Sequence, residues 1–278
     1  IAITSQEFSE IIYKKKFIYE KNPHIAIGVS GGVDSVALLI LMNNWVKKHK
    51  GSLTVVHFDH KIRKHSSLDA EFVQNLSIRL GVNCKILKWS GSTPTSSLMK
   101  KAREQRYDKI LNYCKSKNII TLMTAHHLED SLETYLMRKS RKYSTLGLAG
   151  IPTFNNRGSI QIFRPLLNIK KDRLIQTCLR HKFTWVEDLS NNNKEYERVR
   201  VRHEVKKLSE EKKNKIISNL KCSIRNNNEV EEKLSAFFCK NLQFKEFGEF
   251  TLNKEKLLKL SHKLQVEVLK KILVTCSG

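Results

Sequence analysis

The stretch from Ile25 to Trp45, IAIGVSGGVDSVALLILMNNW, places a glycine-bearing turn between a short apolar run and a long run of helix-forming residues. The apolar run predicts a buried strand, and the residues after the turn predict a helix. A strand that enters a helix through such a turn aims backbone N–H groups and the positive end of the helix dipole at one point. The hexapeptide SGGVDS, residues 30–35, is therefore predicted to hold a phosphate group.

The residue types within the hexapeptide suit that role. Gly31 and Gly32 permit a close approach of the backbone, and the hydroxyls of Ser30 and Ser35 can donate hydrogen bonds. The loop matches neither GxxxxGK[ST] nor GxGxxG, and it carries no lysine. It contains Asp34 instead, and a carboxylate beside phosphates is expected to help hold Mg²⁺ or to cap the start of the helix.

Strand and helix patterns alternate through the first half of the chain. The helical patterns between the strands cover roughly Ser35 to Lys50, Ser66 to Leu80 and Thr95 to Ser116. This alternation predicts an α/β fold with a doubly wound parallel sheet and helices on both faces. The predicted strands are Ile25 to Val29, Leu53 to Phe58, Asn83 to Trp89 and Ile119 to Ala125.

Polar clusters follow three of the predicted strands: SGGVDS, FDHKIR and TAHHLEDSLET. Ligands of such sheets bind where the carboxyl ends of the strands meet, so the clusters are expected to converge. In the last cluster, Asp130 and Glu133 share one face of a helix that begins near His127. These carboxylates suit Mg²⁺ or a substrate ammonium, or they simply complement the helix dipole. The spacing of His60, His126 and His127 does not predict zinc and instead indicates hydrogen-bond donors or proton carriers.

After about Lys206 the chain is rich in Lys, Glu and Leu, which predicts a smaller helical C-terminal domain. The expected division is a catalytic domain over 1–205 and a helical appendage over 206–278, with RNNNEV at Arg225 to Val230 as a loop or short hinge. No further C-terminal domain is expected. The chain has neither a membrane-length apolar run nor a secretory signal pattern, so a cytoplasmic protein without membrane contact is expected. Six cysteines without a CxxC pair indicate reduced, mostly buried thiols.

The chain is strongly basic, with 51 Lys and Arg against 27 Asp and Glu and a formal net charge of +24. Such an excess favours a polyanionic partner such as nucleic acid, unless lysine is simply abundant throughout the source proteome. Lys100, Arg103, Arg106 and Lys109 form a drifting basic stripe on a predicted helix. An extended ERVRVRHEV segment would direct three guanidinium groups to one side, where they could contact RNA or ATP phosphates: Arg198, Arg200 and Arg202.

SGGVDS resembles the pyrophosphate-binding loop of the N-type ATP pyrophosphatases, the PP-loop superfamily, which cleave ATP between its α- and β-phosphates. Further stretches, in family order and covering about Ile25 to Val205, resemble the tRNA(Ile)-lysidine synthetase family. They are FDHKIR with SSLDAEFV, KKAREQRYDKI, TAHHLEDSLETYLMR, GLAGIP, FRPLL, WVEDLSN and RVRVRHEV. The resemblance implies an adenine-nucleotide alpha-hydrolase-like fold.

The same resemblance implies an ATP-dependent ligase that modifies the wobble cytidine of a tRNA(Ile) with a CAU anticodon. The cytidine C2 oxygen would be adenylated with loss of pyrophosphate, and the side-chain amine of L-lysine would then displace AMP. ATP with Mg²⁺ would be held by Ser30, Gly31, Gly32, Val33, Asp34 and Ser35, near Asp59 and His60, with Asp34 as the magnesium ligand. Catalysis and lysine binding would involve His127, Asp130 and Glu133. Arg103, Arg106, Arg198, Arg200 and Arg202 would position tRNA or phosphates.

Two departures from the family pattern stand in the chain. Lys142, Tyr143 and Ser144 occupy positions where glycine, serine and glycine are usual, and Val199 stands where asparagine is common. Three alternatives remain open on the sequence. They are a PP-loop tRNA thiolase with Cys178 or Cys84 as nucleophile, a small-molecule adenylating synthetase, and an RNA-binding protein without activity.

Overall fold

The computed structural model of the chain describes residues 1–59, 61, 66–89, 98–143, 147–187, 197–244 and 249–277. The chain divides into two compact units, residues 1–137 with 151–208 and residues 138–150 with 209–278. The second unit therefore includes a short stretch from the middle of the chain as well as the C-terminal part. The sequence-based division at residue 205 did not include that stretch.

The first unit contains a six-stranded sheet in the order β3-β2-β1-β4-β6-β5. All neighbouring strands pair in parallel except β5 and β6, which form an antiparallel hairpin at one edge. The strands are β1 (His24–Gly28), β2 (Ser52–Asp59), β3 (Asn83–Lys88), β4 (Thr121–Met123), β5 (Phe154–Arg157) and β6 (Ile160–Phe163). The mostly parallel α/β sheet is confirmed, and the β5–β6 hairpin is an addition that the sequence did not predict.

Helices cover the sheet and bury two apolar clusters. The helices of the first unit are α1 (Ser5–Lys14), α2 (Val33–Lys48), α3 (Ser66–Leu80), α4 (Leu98–Ser116), α5 (Leu128–Ser140), α6 (Lys171–Arg180) and α7 (Glu197–Lys207). The larger cluster joins the sheet to α1, α2, α3 and α6, and the smaller one joins it to α4. Because helices cover both faces, the parallel strands can be apolar on both sides.

The central helix α2 fixes the position of the loop that precedes it. Twelve of its sixteen residues are buried, from Val33 to Val46, so it is apolar almost all round and lies inside the unit. Burial of a Leu, Ile or Val side chain contributes about 1.5 to 3 kcal/mol. The packing of α2 therefore leaves its first turn, and the loop joined to it, little freedom to move.

The order of the strands reverses between β1 and β4, because β2 and β3 extend the sheet on one side and β4 begins the other. A doubly wound sheet opens a crevice at such a switch point, beyond the carboxyl ends of the two strands. The residues that follow β1 are SGGVDS after Val29, and those that follow β4 lead into His127. The topology therefore brings two of the predicted polar clusters together.

The second unit contains the long helix α8 (Glu210–Asn241), the hairpin β7 (Leu242–Phe244) and β8 (Phe250–Leu252), and the helices α9 (Lys254–Leu258) and α10 (His262–Ser277). Leu234, Phe237 and Val268 form the centre of its small core. In the described part of the chain, no helix is both long and apolar enough to cross a membrane.

The prediction of a loop or hinge at Arg225–Val230 is wrong, because these residues lie within α8. Asparagine in a helix costs only about 0.7 kcal/mol relative to alanine, so three of them do not end a helix that packing supports on both sides. Leu220 and Leu234 are buried before and after this stretch, and Val230 packs against the small core. The helical spacing of the apolar residues outweighs the local preference of the asparagines.

The turn after α5 gives a test of backbone strain. Lys142 has φ +55°, and its N–H and that of Tyr143 donate to the carbonyls of Lys139 and Arg138, which is the Schellman arrangement. Glycine is preferred there because an L side chain is disfavoured in left-handed geometry. We expect Lys142→Gly to raise the free energy of unfolding of the second unit by about 0.5 to 1 kcal/mol.

Urea titration followed by far-UV circular dichroism measures this change. Tyr143→Gly is the matched control, because Tyr143 is the neighbouring position and does not have a positive φ. It is expected to gain no stability. The strain argument would be contradicted if the two substitutions changed the free energy of unfolding equally, or if Lys142→Gly lowered it.

Candidate functional site

The loop between β1 and α2 is held by its own hydroxyl groups. Ser35 Oγ donates to the Gly32 carbonyl at 2.8 Å, and the Ser30 N–H donates to Ser35 Oγ at 3.2 Å. Gly31 has φ +94°, a conformation that glycine adopts without strain, and its carbonyl accepts the Val186 N–H at 3.0 Å. No side chain among the described residues caps the helix at Gly32. The first N–H groups of α2 are therefore available to an anion.

His57 anchors this loop and was missed by the sequence reasoning. It lies on β2, is 5% exposed, and its Nδ1–H donates to the Val29 carbonyl at 2.8 Å. Burial lowers the pKa of His57, so the neutral ring is favoured. The signal in the sequence was a single histidine within the apolar run of β2, a pattern that does not distinguish an anchor from an ordinary buried polar residue.

Asp34 lies in the first turn of α2 and faces two cations. Its Oδ2 is 3.5 Å from His127 Nε2 and 3.9 Å from Lys171 Nζ. Its Oδ1 is buried and makes no hydrogen bond to the described residues. Mg²⁺ is usually bound through one or two carboxylates together with substrate phosphates and water. An unpaired carboxylate oxygen beside an anion-binding helix start fits that pattern.

The second polar cluster is only partly described. Asp59 ends β2, is 6% exposed, and its Oδ1 accepts the Lys61 N–H at 2.8 Å. It therefore stabilises the turn after its own strand. His60, which was predicted to lie near ATP, is outside the described residues.

His127 lies among three carboxylates. Its Nδ1–H donates to Glu129 at 2.9 Å, and its Nε2 is 3.5 Å from both Asp34 and Asp130. Burial by itself lowers the pKa of His127, but the contacts with Asp34 and Glu129 and the charge of Asp130 outweigh that effect and raise the pKa to about 10. These contacts favour the protonated ring at neutral pH, which can donate from both nitrogens.

Glu129 is a second residue that sequence reasoning missed. Besides accepting from His127, its Oε2 accepts the Lys171 N–H at 3.0 Å, so it caps α6 from a different helix. Burial alone would raise the pKa of Glu129, but the bond to His127 outweighs it and lowers the pKa. The available signal was a third acidic residue within HHLEDSLET, beside the two that were chosen.

Asp130 and Glu133 bind two arginines from α7. Arg198 donates to Asp130 Oδ1 at 2.7 Å and to Glu133 Oε2 at 2.8 Å, and Arg202 Nε donates to Glu133 Oε1 at 2.8 Å. Burial alone would raise the pKa of Asp130, but the charges of His127 and Arg198 outweigh it and lower the pKa. Glu133 is 1% exposed, and both of its oxygens already accept hydrogen bonds.

The prediction of an extended ERVRVRHEV segment is wrong, because these residues form the helix α7. Residues four apart share one side of a helix, so Arg198 and Arg202 reach Glu133 together. Arg200 lies about 200° around the helix from Arg198 and is exposed. The alternation of Arg and Val indicated a strand locally, but the buried Val199 and Val205 and the ion pairs to α5 favour the helix.

The remaining predicted arginines lie on α4. The Arg106 guanidinium is 5.3 Å from the centre of the Tyr107 ring. Arg103 is in the same helix, and its side chain is outside the described residues.

Cys178 and Cys84, the two nucleophiles of the thiolase alternative, are poorly suited to that role. Cys178 is fully buried, and burial together with the nearby charge of Asp34 raises its pKa to about 12. Burial also raises the pKa of Cys84. A thiolate is the reactive form, so neither side chain is suited to sulfur transfer. The expectation of mostly buried thiols fits Cys114 and Cys178, while Cys84 is half-buried and Cys222 and Cys239 are exposed.

The raised pKa of His127 predicts how stability depends on pH. The unfolded chain loses this proton near pH 6.5, and the folded chain keeps it to about pH 10. The stability it contributes is complete below pH 6.5 and is lost as the pH rises toward 10. Between about pH 7 and pH 9 we expect His127→Gln to remove a slope of about 1.4 kcal/mol per pH unit.

Urea unfolding followed by tryptophan fluorescence, in metal-free buffer, measures this slope. All three tryptophans, Trp45, Trp89 and Trp185, lie in the first unit, so the signal reports that unit. His203→Gln changes an exposed histidine on α7 and serves as the control. An unchanged slope in His127→Gln would show that the ring is not held as a cation.

The family model described as the PP-loop domain matches residues 3–209. Among curated proteins, the chain is similar to tRNA(Ile)-lysidine synthases of Rickettsia felis, at 34% identity, and Rickettsia akari, at 35% identity. Each alignment spans 257 residues, 91% of this chain and 59% of the relative. The chain therefore spans less than two thirds of the length of these relatives.

Among solved structures, a U34-tRNA thiolase from Methanococcus maripaludis, determined with its [4Fe-4S] cluster, superimposes with a TM-score of 0.65. The superposition covers 82% of this chain and 79% of that one, at 16% sequence identity. At this level of identity the likeness shows a shared fold.

Proposed function

This chain belongs to the PP-loop domain family, and on that premise we propose that it is an ATP-dependent ligase that attaches L-lysine to a tRNA(Ile) with a CAU anticodon. The observation that carries the proposal is the uncapped start of α2, which lies beside Asp34 and His127 at the switch point of the sheet. The curated relatives named tRNA(Ile)-lysidine synthase support the choice of substrate.

In this proposal ATP lies at the start of α2, with its phosphates on the N–H groups of the loop. The anion site has the fixed geometry that phosphate binding requires, because the hydroxyls of Ser30 and Ser35 are already engaged in holding the loop. The proposed ATP-binding residues are Ser30, Gly31, Gly32, Val33, Asp34 and Ser35, with Asp59 and His60 nearby. Asp34 would hold Mg²⁺ through Oδ1, and the metal when bound would neutralise phosphate charge.

The proposed chemistry has two displacements. The C2 oxygen of the wobble cytidine attacks the α-phosphorus of ATP, and pyrophosphate leaves. The side-chain amine of lysine, in its neutral form, then attacks C2 and releases a proton to solvent, and AMP leaves with the C2 oxygen. No protein nucleophile is needed, so the residues act by placing the reactants and stabilising charge. His127 contributes as a positively charged hydrogen-bond donor, since its contacts with Asp34, Glu129 and Asp130 favour the protonated ring.

Asp130 and Glu133 are the proposed carboxylates for the lysine ammonium. Because both Glu133 oxygens accept arginine hydrogen bonds, lysine must share these acceptors with Arg198 and Arg202 or displace one of them. This arrangement makes lysine binding depend on the position of α7. A site whose carboxylates are paired with guanidinium groups discriminates against uncharged ligands, because an uncharged ligand cannot replace the positive charge of a displaced arginine.

RNA would be bound through the basic surface, with the formal net charge of +24 favouring association. The arginines proposed to contact tRNA or phosphates are Arg103, Arg106, Arg198, Arg200 and Arg202. Arg200 is exposed and lies about 200° around α7 from Arg198, which suits contact with an RNA phosphate. We place the reaction in the cytoplasm, where ATP, lysine and tRNA occur together.

The test combines the protein with ATP, Mg²⁺, radiolabelled lysine and a tRNA(Ile) transcript that carries CAU. Label that stays on the RNA after mild alkali is expected, because alkali removes ordinary aminoacyl esters. The matched control is the same transcript with the anticodon C changed to U, which should take no stable label. Stable label on both transcripts, or on neither, would overturn the proposed substrate.

A further inference from the structure

The phosphate-binding loop contains no lysine, yet the fold brings one to it from another helix. Lys171 is the first residue of α6, more than a hundred residues after the loop, and its Nζ lies 3.9 Å from Asp34 Oδ2. Its side chain is 43% exposed, so the ammonium is reachable from solvent. An ammonium carries three donors, and a single contact at 3.9 Å leaves them available to a ligand.

Contacts on both sides fix the backbone from which this lysine extends. Glu129 Oε2 accepts the Lys171 N–H at 3.0 Å, which joins the start of α6 to the start of α5. Further along α6, Cys178 Sγ lies 3.6 Å from the Val33 carbonyl at the start of α2. The lysine therefore occupies a defined place beside the loop and is not carried on a free surface segment.

The ion pair with Asp34 is too weak to be the reason for that placement. A partly exposed pair at such a distance contributes about 0 to 1 kcal/mol. The packing of α6 relies instead on buried residues such as Leu174 and Thr177. The ammonium is thus dispensable for folding, while its position beside an uncapped helix start is well suited to anionic oxygens.

We infer that Lys171 binds the phosphates of ATP and retains the departing pyrophosphate, so that α6 supplies the cation that the SGGVDS loop itself lacks. This inference rests on the proposed use of ATP. A cation at this point neutralises the charge that develops on pyrophosphate as the bond to the α-phosphorus breaks. No proton is transferred by Lys171, and the bonds that form and break are those of the adenylation step.

Inorganic pyrophosphate with Mg²⁺ is the direct probe. Its dissociation constant is measured by calorimetry for the wild type, Lys171→Met, Lys171→Arg and Lys182→Met. Lys182 is an exposed lysine beyond the other end of α6, so its replacement makes the same change of charge away from the site. Lys171→Met is expected to weaken pyrophosphate binding about 10- to 100-fold, with Lys171→Arg and Lys182→Met within about threefold of the wild type.

Steady-state kinetics provides the second readout. Lys171→Met is expected to lower kcat/KM for ATP about 100-fold, with an unchanged KM for lysine. Pyrophosphate binding that is absent in the wild type, or equal in the wild type and Lys171→Met, would overturn the inference. If Lys171 had only a structural role, Lys171→Met would lower the thermal midpoint of unfolding and leave the affinity for pyrophosphate unchanged. That result would also overturn the inference. Pyrophosphate binding that depends on Lys171, without any lysine transfer to RNA, would overturn only the proposed substrate.

Discussion

Asp34→Asn is expected to reduce pyrophosphate release from ATP about a thousandfold, the largest effect of any single change in the chain. Asparagine keeps the size of the side chain and removes its charge. The buried Oδ1, which makes no hydrogen bond to the described residues, then loses the charge that we propose holds Mg²⁺. His127 and Lys171 at the same time lose the anion between them.

The measurement is pyrophosphate release in the presence of ATP, Mg²⁺ and tRNA(Ile), with and without lysine. Asp172→Asn is the matched control, because Asp172 is an exposed acidic residue in the first turn of α6, as Asp34 is in the first turn of α2. The control should retain activity within about twofold of the wild type. Substantial pyrophosphate release by a folded Asp34→Asn protein would exclude Asp34 from metal and phosphate binding.

Glu133→Gln is expected to separate the two chemical steps. The KM for lysine should rise about 100-fold, while adenylation of the tRNA falls by less than about tenfold. The physical reason is that Arg198 and Arg202, which each donate to Glu133 at 2.8 Å, lose the carboxylate charge that holds them at the proposed lysine site. Unpairing such buried contacts also destabilises the first unit by about 3 kcal/mol.

Stability is followed by tryptophan fluorescence during urea unfolding, and lysine use by stable label on RNA at increasing lysine concentration. Glu204→Gln, an exposed change on α7, is the control for loss of one carboxylate. The double variant Glu133→Gln with Arg202→Gln should regain part of the lost stability, because it no longer places the Arg202 guanidinium against an uncharged amide. An unchanged KM for lysine in Glu133→Gln would remove Glu133 from the lysine site.

The shape of the SGGVDS loop could be predicted from sequence because most of its determinants are local. Gly31 has a positive φ, and Ser35 Oγ accepts the Ser30 N–H and donates to the Gly32 carbonyl. The apolar runs on either side define the strand and the helix, and the same periodicity predicted the other parallel strands. The hydrogen bonds that the loop receives from His57 and Val186 come from distant parts of the chain and were not predicted.

The two wrong predictions of secondary structure arise from contacts between residues that are distant in the sequence. ERVRVRHEV alternates like a strand and RNNNEV reads like a loop, yet both are helical because distant residues stabilise them. Glu133 lies 65 residues before Arg198, and Val230 packs into a core with Val268. Neither contact can be read from spacing, since a pattern in the chain carries no information about which remote segment will face it.

The sequence by itself determined the parallel strands, the glycine-bearing turn between β1 and α2 and the identity of the charged residues after each strand. Only the tertiary structure decided how those charges pair. His127 lies among Asp34, Glu129 and Asp130, which favour its protonated form. Glu133 accepts hydrogen bonds from two arginines, and Lys171 lies beside a loop that has no lysine of its own. The physical reason is that secondary structure depends on neighbours along the chain, whereas pKa values and ion pairs depend on distance and burial in space.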